Sequence, residues 1–323
     1  MDGTEIMAQR VATVFGGSGF VGRNIVRVLA QQGWRVRAAV RRPEWASFLQ
    51  PMGDVGQVVP VQTNVRNAAS VAAAVAGADA VVNAVGIFVQ RGKQRFGIVH
   101  EGGARNIGAA CSAAGVKSLV HISGIGIDDA DGPSQWLRSK TAAEQAIRAE
   151  FPAATILRPS IVFGPGDTFF TNLASIARMA PVMPAIGGDR NKFQPVYVGD
   201  VAAAAAACLN DRATAGQTYE LGGPKIYTMR QIAELVLAVT GRTDKRIVYM
   251  PLALTKLIGL GAQFLPRPML TYDQAYMLER DSLAHPGLPG LAELGVAPTA
   301  AEVILPSYLE RFRPTGSYSA TAA

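Results

Sequence analysis

Three glycines recur at three-residue spacing, at Gly16, Gly19 and Gly22, between an apolar run and an amphipathic segment. Glycine at such positions lets backbone N–H groups and a helix N-terminus approach a pyrophosphate, because no side chain stands in the way. A glycine triplet alone is weak evidence, but its place in the first strand-turn-helix unit favours a dinucleotide site. The predicted pyrophosphate contacts are Gly16, Gly17, Ser18, Gly19, Phe20, Val21 and Gly22.

The end of the second predicted strand indicates which dinucleotide binds. NAD sites usually offer a carboxylate to the ribose 2′-hydroxyl at this point, whereas the strand here ends in Val40 followed by Arg41 and Arg42. Guanidinium groups suit a 2′-phosphate, because their planar donors pair with its oxygens. We therefore predict NADP(H) as the cofactor, bound through both arginines. The alternative interpretation is a solvated arginine pair beyond a strand end.

Two further strand ends are expected to contribute to the dinucleotide site. Asn64 follows the third predicted strand, where its amide can meet the adenine amino group, and Val65 comes next. The fourth strand ends in Asn83 and is followed by small groups that let the cofactor pass. The contacts predicted at these two strand ends are Asn64, Val65, Ala84, Val85 and Gly86.

Strands and helices alternate through the first half of the chain and must position these residues. Apolar runs predict strands at 11–15, 34–40, 58–61, 80–83, 118–122 and 154–157. Periodicity and alanine-rich composition predict helices at 21–32, 70–76, 101–114 and 139–150. Strict alternation with continuously apolar strands is typical of a parallel sheet covered on both faces. We therefore predict an α/β fold, a Rossmann-type doubly wound parallel sheet with a smaller C-terminal α/β lobe.

The regular alternation of strands and helices changes after Gly164, where proline, glycine and methionine become frequent. A strand at 194–198 and a helix at 201–209 are predicted beyond this segment. The predicted NADP-binding Rossmann domain covers 8–165 and 193–214. The predicted small lobe covers 166–192 and 215–316, and a flexible tail is expected at 317–323.

The composition limits the classes of partner. A net charge of +7 and a pI near 9.6 permit anionic partners, such as a dinucleotide, an anionic lipid surface or an acidic protein face. No long Lys/Arg run or basic-aromatic strip occurs, so we expect no nucleic acid. Two isolated cysteines and three scattered histidines predict a reducing compartment and no metal site. Without a signal core or a long apolar run, we expect a soluble or peripheral protein.

These motifs together resemble the short-chain dehydrogenase/reductase superfamily, in its extended or atypical form. The matching segments are the glycine loop, 83–86, Lys140, 158–166 and 194–201. The resemblance implies that Lys140 binds the ribose hydroxyls and that Ser123 lies beside the nicotinamide. A serine that satisfies a turn is the alternative for Ser123. The resemblance adds Ile122, Ser123, Lys140, Pro159 and Ile161 to the predicted cofactor contacts.

Trp136 stands where that superfamily carries the tyrosine of a Tyr-x-x-x-Lys motif. In the superfamily the tyrosine hydroxyl passes a proton to or from the substrate. Indole has a single N–H donor and does not titrate near neutral pH, so it cannot act as the general acid or base. We therefore predict no catalytic residue and no intrinsic activity. Other side chains that could act are Asp128, Asp129, Asp131 and Tyr197, interpreted mainly as solvated loop residues and a packed strand residue.

Longer segments resemble more narrowly the alpha subcomplex subunit 9 family, the NAD(P)-binding accessory subunits of respiratory complex I. These segments are 121–123, 136–140, 194–198, 285–291 and 294–296. The resemblance implies NADPH bound without turnover, other complex I subunits as partners, and a place at the junction of the peripheral and membrane arms. It also implies a peripheral location on the cytoplasmic face of a bacterial inner membrane. The alternatives are a soluble NADPH-dependent reductase or epimerase, and an NADPH-sensing regulator.

A stripe of apolar residues at helical spacing occurs in the C-terminal lobe. Its members are Leu254, Leu257, Ile258, Gly261, Phe264 and Leu265. One interpretation of 252–270 is a helix that faces the core of the lobe. The other is an amphipathic segment on an anionic membrane surface or on a membrane-arm subunit. The sequence leaves both open.

Overall fold

A computed structural model of the chain describes residues 9–128, 132–262 and 270–314. The candidate acids Asp129 and Asp131, the later part of the apolar stripe and the predicted tail lie outside the described residues. Contacts divide the chain into two compact units. The first unit comprises Met1–Ser123, Ser139–Arg158 and Val201–Tyr219. The second unit comprises Gly124–Arg138, Pro159–Asp200 and Glu220–Ala323. The domain bounds given above stay a prediction.

The strands are numbered in chain order. They are β1 (Val11–Phe15), β2 (Arg35–Val40), β3 (Val58–Gln62), β4 (Ala80–Asn83), β5 (Ser118–Ile122), β6 (Thr155–Pro159), β7 (Val162–Phe163), β8 (Met183–Ile186), β9 (Lys192–Phe193), β10 (Val196–Tyr197), β11 (Thr218–Leu221), β12 (Tyr227–Thr228) and β13 (Ile247–Met250).

The α-helices are numbered in the same way. They are α1 (Phe20–Gln31), α2 (Ala68–Val75), α3 (Gly102–Ala113), α4 (Gln135–Glu150), α5 (Phe169–Met179), α6 (Val198–Asn210), α7 (Met229–Val239), α8 (Leu252–Ala262), α9 (Tyr272–Met277) and α10 (Ala301–Leu309).

The main sheet has the strand order β11-β6-β5-β4-β1-β2-β3. The pairs from β3 across to β6 are all parallel. The order reverses between β1 and β4, and sheets of this kind bind ligands at such a reversal, beyond the carboxyl ends of the strands. The predicted fold class, a Rossmann-type doubly wound α/β sheet, is confirmed.

Each unit has its own apolar core. In the first unit, helices α2, α3 and α4 pack side chains such as Ile107 and Ile147 against Phe15, Leu119 and Ile156 of the sheet. These strands are buried along their length, which explains why their sequences are continuously apolar. The second unit is built around residues of α5, α7 and α10, among them Phe170, Ile232 and Leu305.

Helix α4 begins at Gln135, four residues before the predicted start at Ser139. The reason is a carboxylate from a distant part of the second unit. Asp273 Oδ1 accepts hydrogen bonds from Ser134 Oγ at 2.7 Å and from the Trp136 backbone N–H at 3.2 Å. The second bond satisfies one of the N–H groups that the first helical turn leaves without a partner. Trp136 therefore lies inside the helix.

Helix α6 also begins earlier than predicted. The sequence indicated a strand at 194–198, but the structure has only the two-residue strand β10 there, and α6 starts at Val198. Asp200, in the first turn, accepts bonds from the Thr299 backbone N–H and hydroxyl at 2.7 and 2.9 Å. The prediction of a full strand was wrong, because this stabilising contact comes from a residue far along the chain.

Helix α8 turns its apolar side chains outward. Leu254, Leu257, Ile258 and Leu260 are between 45% and 66% exposed. The buried face of the helix contains Thr255 and Gly259 instead. A Cβ at Gly259 would lie 2.9 Å from the backbone of Thr271. The described part of the apolar stripe therefore does not pack into a core. Within the described ranges, no helix is both long and apolar enough to cross a membrane.

A buried ion pair links α4 to β6 in the first unit. Arg158 Nε and Nη2 donate to the two carboxylate oxygens of Glu144 at 3.0 and 2.9 Å, and the two side chains are 12% and 5% exposed. Removing one partner of such a pair leaves the other charge buried without compensation. We expect Glu144→Gln to lower the free energy of unfolding by about 3 kcal/mol, measured by urea denaturation.

The matched control is Glu101→Gln, which removes an exposed ion pair with Arg105. Exposed pairs stabilise weakly, so its loss should stay below about 1 kcal/mol. Equal losses in the two variants would contradict the assigned role of the buried pair.

Candidate cofactor-binding site

The glycine turn after β1 is closed by backbone packing. Gly16 has a φ of +76°, which favours glycine, and its N–H donates to Ala39 O at 3.0 Å. A Cβ at Gly22 would lie 2.2 Å from Gly16 O, and one at Gly16 would lie 2.8 Å from Ala84 O. The turn thus brings together α1, the end of β2 and the residue after β4. Its other predicted contacts, Gly17, Ser18, Gly19, Phe20 and Val21, follow directly in the turn and the start of α1.

The N-terminus of α1 is suited to an anion. Gly19 is its N-cap, no side chain bonds to the cap, and no acidic residue lies in the first turn. The first N–H groups of a helix have no partner within the helix and carry partial positive charge. This arrangement fits the pyrophosphate of a dinucleotide.

A cavity of about 370 Å³ lies beyond the ends of β2 and β3. Its lining residues are Arg41, Gln62, Thr63, Asn64, Arg66, Asn67 and Ser70. None of them is acidic. Arg42 is absent from the lining, and its guanidinium lies over the Trp45 ring at 4.4 Å from the centroid. The structure therefore brings together Arg41 and Asn64 of the predicted contacts, with Arg66 beside them, which the sequence reasoning missed.

The segment after β4 is anchored by the buried Asn83. Its Oδ1 accepts from the Val85 N–H at 3.1 Å, and its Nδ2 contacts His121 Nδ1 at 3.0 Å. Ala84 and Val85 are half-buried, whereas Gly86 is exposed with open space where a Cβ would lie. Val65 packs against the core of the first unit. These positions leave room beside Gly86 for a ligand to pass.

The end of β5 carries the polar groups assigned to the nicotinamide half. Lys140 is 3% exposed, and its Nζ donates to Ile122 O at 2.7 Å. Ser123 Oγ is buried, and neither it nor His121 Nε2 has a hydrogen-bond partner among the described residues. Buried polar groups without partners are rare in proteins. A bound dinucleotide with ribose hydroxyls and a carboxamide would supply partners, so these residues fit the cofactor.

Burial controls ionisation around Lys140. It lowers the pKa of Lys140 to about 8, although the nearby Glu144 carboxylate acts in the opposite direction. Burial also lowers the pKa of His100 to about 3, and that of His121 well below its usual range. His100 Nδ1 lies 2.8 Å from Ser139 Oγ, and its Nε2 accepts from the Ile87 N–H at 3.0 Å. Both imidazoles are neutral at pH 7. His100 was not among the predicted contacts.

The remaining candidates belong to the second unit. Trp136 is buried beside Gly124, where a Cβ would lie 3.4 Å from its ring. Pro159 is buried and Ile161 packs against the core of that unit, as Tyr197 does. Their contact with a cofactor stays a prediction. Asp128 is exposed, and the described residues contain no group of three side chains that could hold a metal.

Comparison with known proteins identifies the family. The family described as NAD(P)H-binding matches residues 16–212. The mitochondrial NADH dehydrogenase (ubiquinone) 1 alpha subcomplex subunit 9 of Arabidopsis thaliana is 33% identical over 318 residues, which cover 95% of this chain and 79% of that protein. The chain belongs to the alpha subcomplex subunit 9 family. The resemblance predicted from the motifs is thus confirmed, and so is a nicotinamide cofactor.

Two other similarities concern enzymes. A ceramide reductase of Caulobacter vibrioides is 32% identical over 196 residues, or 61% of this chain and 60% of that protein. A crystal structure of a dTDP-glucose 4,6-dehydratase double mutant from Streptomyces venezuelae, with NAD bound, has a TM-score of 0.69 and 19% sequence identity. That match covers 93% of this chain and 96% of the other. At this identity the structural likeness concerns the fold.

The glycine turn gives a direct test. We expect Gly22→Ala to weaken dinucleotide binding at least tenfold and to lower the free energy of unfolding by about 1–3 kcal/mol, because the added methyl meets a backbone oxygen that cannot rotate away. Calorimetric titration and urea denaturation measure the two effects. Gly102→Ala in α3 is the control, since its nearest contact would be 3.7 Å away. Unchanged binding in Gly22→Ala would contradict the assigned packing.

The neutral histidines predict acid sensitivity. Their folded-state pKa values lie below the unfolded value of about 6.5, so below that pH the unfolded chain takes up protons that the folded chain does not. The free energy of unfolding should therefore fall between pH 7 and pH 5.5, by roughly 1 kcal/mol for each histidine. His100→Gln should reduce this dependence in urea denaturation of the nucleotide-free protein. An unchanged pH dependence would exclude His100 as a source.

Proposed function

We propose that the chain is an NADPH-binding accessory subunit of a respiratory NADH:quinone oxidoreductase, without turnover of its own. The observation that carries this proposal is the 33% identity to the mitochondrial subunit along 95% of the chain. The glycine turn and Lys140 support nucleotide binding, while Trp136 stands in place of a proton donor. We further propose that the subunit stabilises the junction of the peripheral and membrane arms of that complex.

The choice of NADP(H) over NAD(H) rests on charge. The cavity beyond β2 and β3 has arginine and amide side chains in its lining and no carboxylate. A carboxylate is what an NAD site offers to the ribose 2′-hydroxyl, and it would repel a 2′-phosphate. Nucleotide released from the purified protein by denaturation, identified by mass and absorbance, tests the choice. NAD(H) alone in that fraction would overturn it.

In this proposal the residues bind and orient the cofactor. NADP(H) can donate or accept a hydride when bound. The α1 N-terminus and the glycine turn hold the pyrophosphate. Lys140 has three N–H donors: one stays bonded to Ile122 O, and the others donate to the ribose hydroxyls. Ser123 Oγ bonds to the nicotinamide end. No step moves a proton, because the indole of Trp136 has no titratable group near neutral pH.

The exposed face of α8 supports a docking role. Leu254, Leu257, Ile258 and Leu260 form an apolar surface on one helix, and such surfaces mark protein or membrane interaction sites when contiguous. We propose that this face meets the membrane arm, or the anionic bilayer beside it, on the cytoplasmic face of a bacterial inner membrane. The net charge of +7 favours an anionic surface.

Affinity purification tests the partner assignment. A tagged chain expressed in its own host should bring down the NADH:quinone oxidoreductase subunits from detergent-solubilised membranes, as identified by mass spectrometry. Leu257→Asp should reduce this recovery at least fivefold without loss of nucleotide or stability, because Leu257 is 66% exposed and the charge disfavours an apolar interface.

Val303→Asp is the matched control, since Val303 is an apolar side chain of the same unit that is 69% exposed on α10. Its recovery should equal that of the unmodified chain. Complete absence of the oxidoreductase from the purified material would overturn the subunit assignment. Equal recovery with Leu257→Asp would leave α8 out of the interface.

A soluble NADPH-dependent reductase is the second candidate, favoured by the 32% identity to a ceramide reductase. A buried lysine with a pKa of about 8 can hold a proton near a substrate. Steady NADPH oxidation with a panel of carbonyl compounds and quinones, abolished by Lys140→Met, would establish this reaction. Its absence across the panel would favour the accessory role.

A further inference from the structure

The cavity beyond β2 and β3 has two positive charges that no carboxylate neutralises. Arg41 and Arg66 both line it. Neither forms an ion pair in the described part of the chain, and the other lining residues are amides and hydroxyl groups. Two guanidinium groups that share a cavity repel each other, and an anion between them would remove the repulsion.

Arg66 is held in position by its neighbours. Asn64 Oδ1 accepts from both the backbone N–H and the Nε of Arg66 at 3.2 Å. Nη1 makes a long contact to Lys93 O at 3.4 Å, and Nη2 has no partner among the described residues. The side chain is half-buried, so its guanidinium loses less freedom on binding a ligand than a fully exposed one. Asn64, predicted to meet adenine, acts here on Arg66.

The floor of the cavity is ordered by α2. Asn67 caps that helix by accepting from the Ser70 N–H at 3.1 Å, and Ser70 Oγ accepts from the Asn64 N–H at the same distance. This chain of hydrogen bonds fixes the segment that carries Asn64 and Arg66. The cavity is therefore built by strand ends and a helix start rather than by mobile side chains alone.

Arg42 is directed elsewhere. Its guanidinium stacks on Trp45, which is 69% exposed, and it does not line the cavity. Stacking on an indole face stabilises a guanidinium by cation–π attraction. Arg42 therefore differs from Arg66 in having an aromatic partner in place of access to the cavity.

We propose that Arg66 and Arg41 together bind the ribose 2′-phosphate of NADP(H), with Asn64 positioning Arg66. This inference rests on the proposed NADPH-binding function and adds a specificity-determining residue to it. Arg41 lies after β2 and Arg66 after β3, so the two guanidiniums approach a phosphate from neighbouring strand ends. Each can donate two N–H bonds to phosphate oxygens, which a 2′-hydroxyl cannot match.

Binding of 2′,5′-ADP and 5′-AMP to the purified full chain tests the proposal, because the two probes differ only in the 2′-phosphate. Calorimetric titration should show the unmodified chain favouring 2′,5′-ADP. We expect Arg66→Ala and Arg41→Ala each to weaken binding of 2′,5′-ADP about 10- to 100-fold, and binding of 5′-AMP less than about threefold. Arg42→Ala should change the preference less than about threefold, as lost stacking does not involve the phosphate.

Arg35→Ala is the matched control, since it removes the same charge at the exposed opposite end of β2. It should leave both affinities unchanged. Equal weakening of both probes by Arg66→Ala, or a loss of preference caused by Arg42→Ala instead, would overturn the assignment of Arg66 while the choice of NADP(H) stands. An unmodified chain that binds both probes equally would overturn the choice of NADP(H) itself.

Competition with inorganic phosphate tests whether the two arginines bind the dinucleotide or a free anion. In the proposed site, phosphate should compete more strongly with 2′,5′-ADP than with 5′-AMP, because the α1 N-terminus can hold a phosphate in both cases and the two arginines only in the first. Phosphate that binds through Arg66 without any competition against 2′,5′-ADP would place the anion outside the nucleotide site and overturn the proposal.

Discussion

The nucleotide end of the first unit depends on one backbone contact, in which Gly22 of α1 lies against the carbonyl oxygen of Gly16. A methyl group would come within 2.2 Å of that oxygen, so only glycine permits the approach. The contact fixes where α1 begins relative to β1 and leaves its uncapped N-terminus at the turn. The same turn touches the end of β2 and the residue after β4, so the strand ends that surround a dinucleotide are held by the turn itself.

The proposed nicotinamide end of the site is defined by burial. Lys140 and the two neutral histidines lie in a region where charge is costly, and the serine hydroxyl at Ser123 has no partner among the described residues. Buried polar groups without partners are rare, and a bound ligand would supply partners here. In the second unit, Trp136 is held through its backbone as well as its ring, because its N–H is bonded to Asp273 and its indole packs beside Gly124. The residue at this position therefore has a structural role even without proton transfer.

Much of the fold followed from local pattern. The alternation of apolar runs with amphipathic segments predicted the main sheet, since parallel strands buried on both faces must be apolar throughout. The starts of α4 and α6 did not follow, because Asp273 and Thr299 act on them from more than 90 residues away. The sequence likewise did not indicate which face of α8 is buried. Its leucines have core-like spacing, but the small residue Gly259 is the one that fits against Thr271.

The sequence by itself determined the glycine turn, the α/β class, the family and the absence of a tyrosine at position 136. Each of these depends on residue type and spacing along one short segment, where backbone sterics and hydrophobic periodicity act directly. Only the tertiary structure decided which arginines share a cavity. Arg42 is the neighbour of Arg41 in sequence, yet it stacks on Trp45, while Arg66 reaches the same cavity from β3. Parallel pairing brings β2 and β3 together across a connection of many residues, and one-dimensional spacing does not record that proximity.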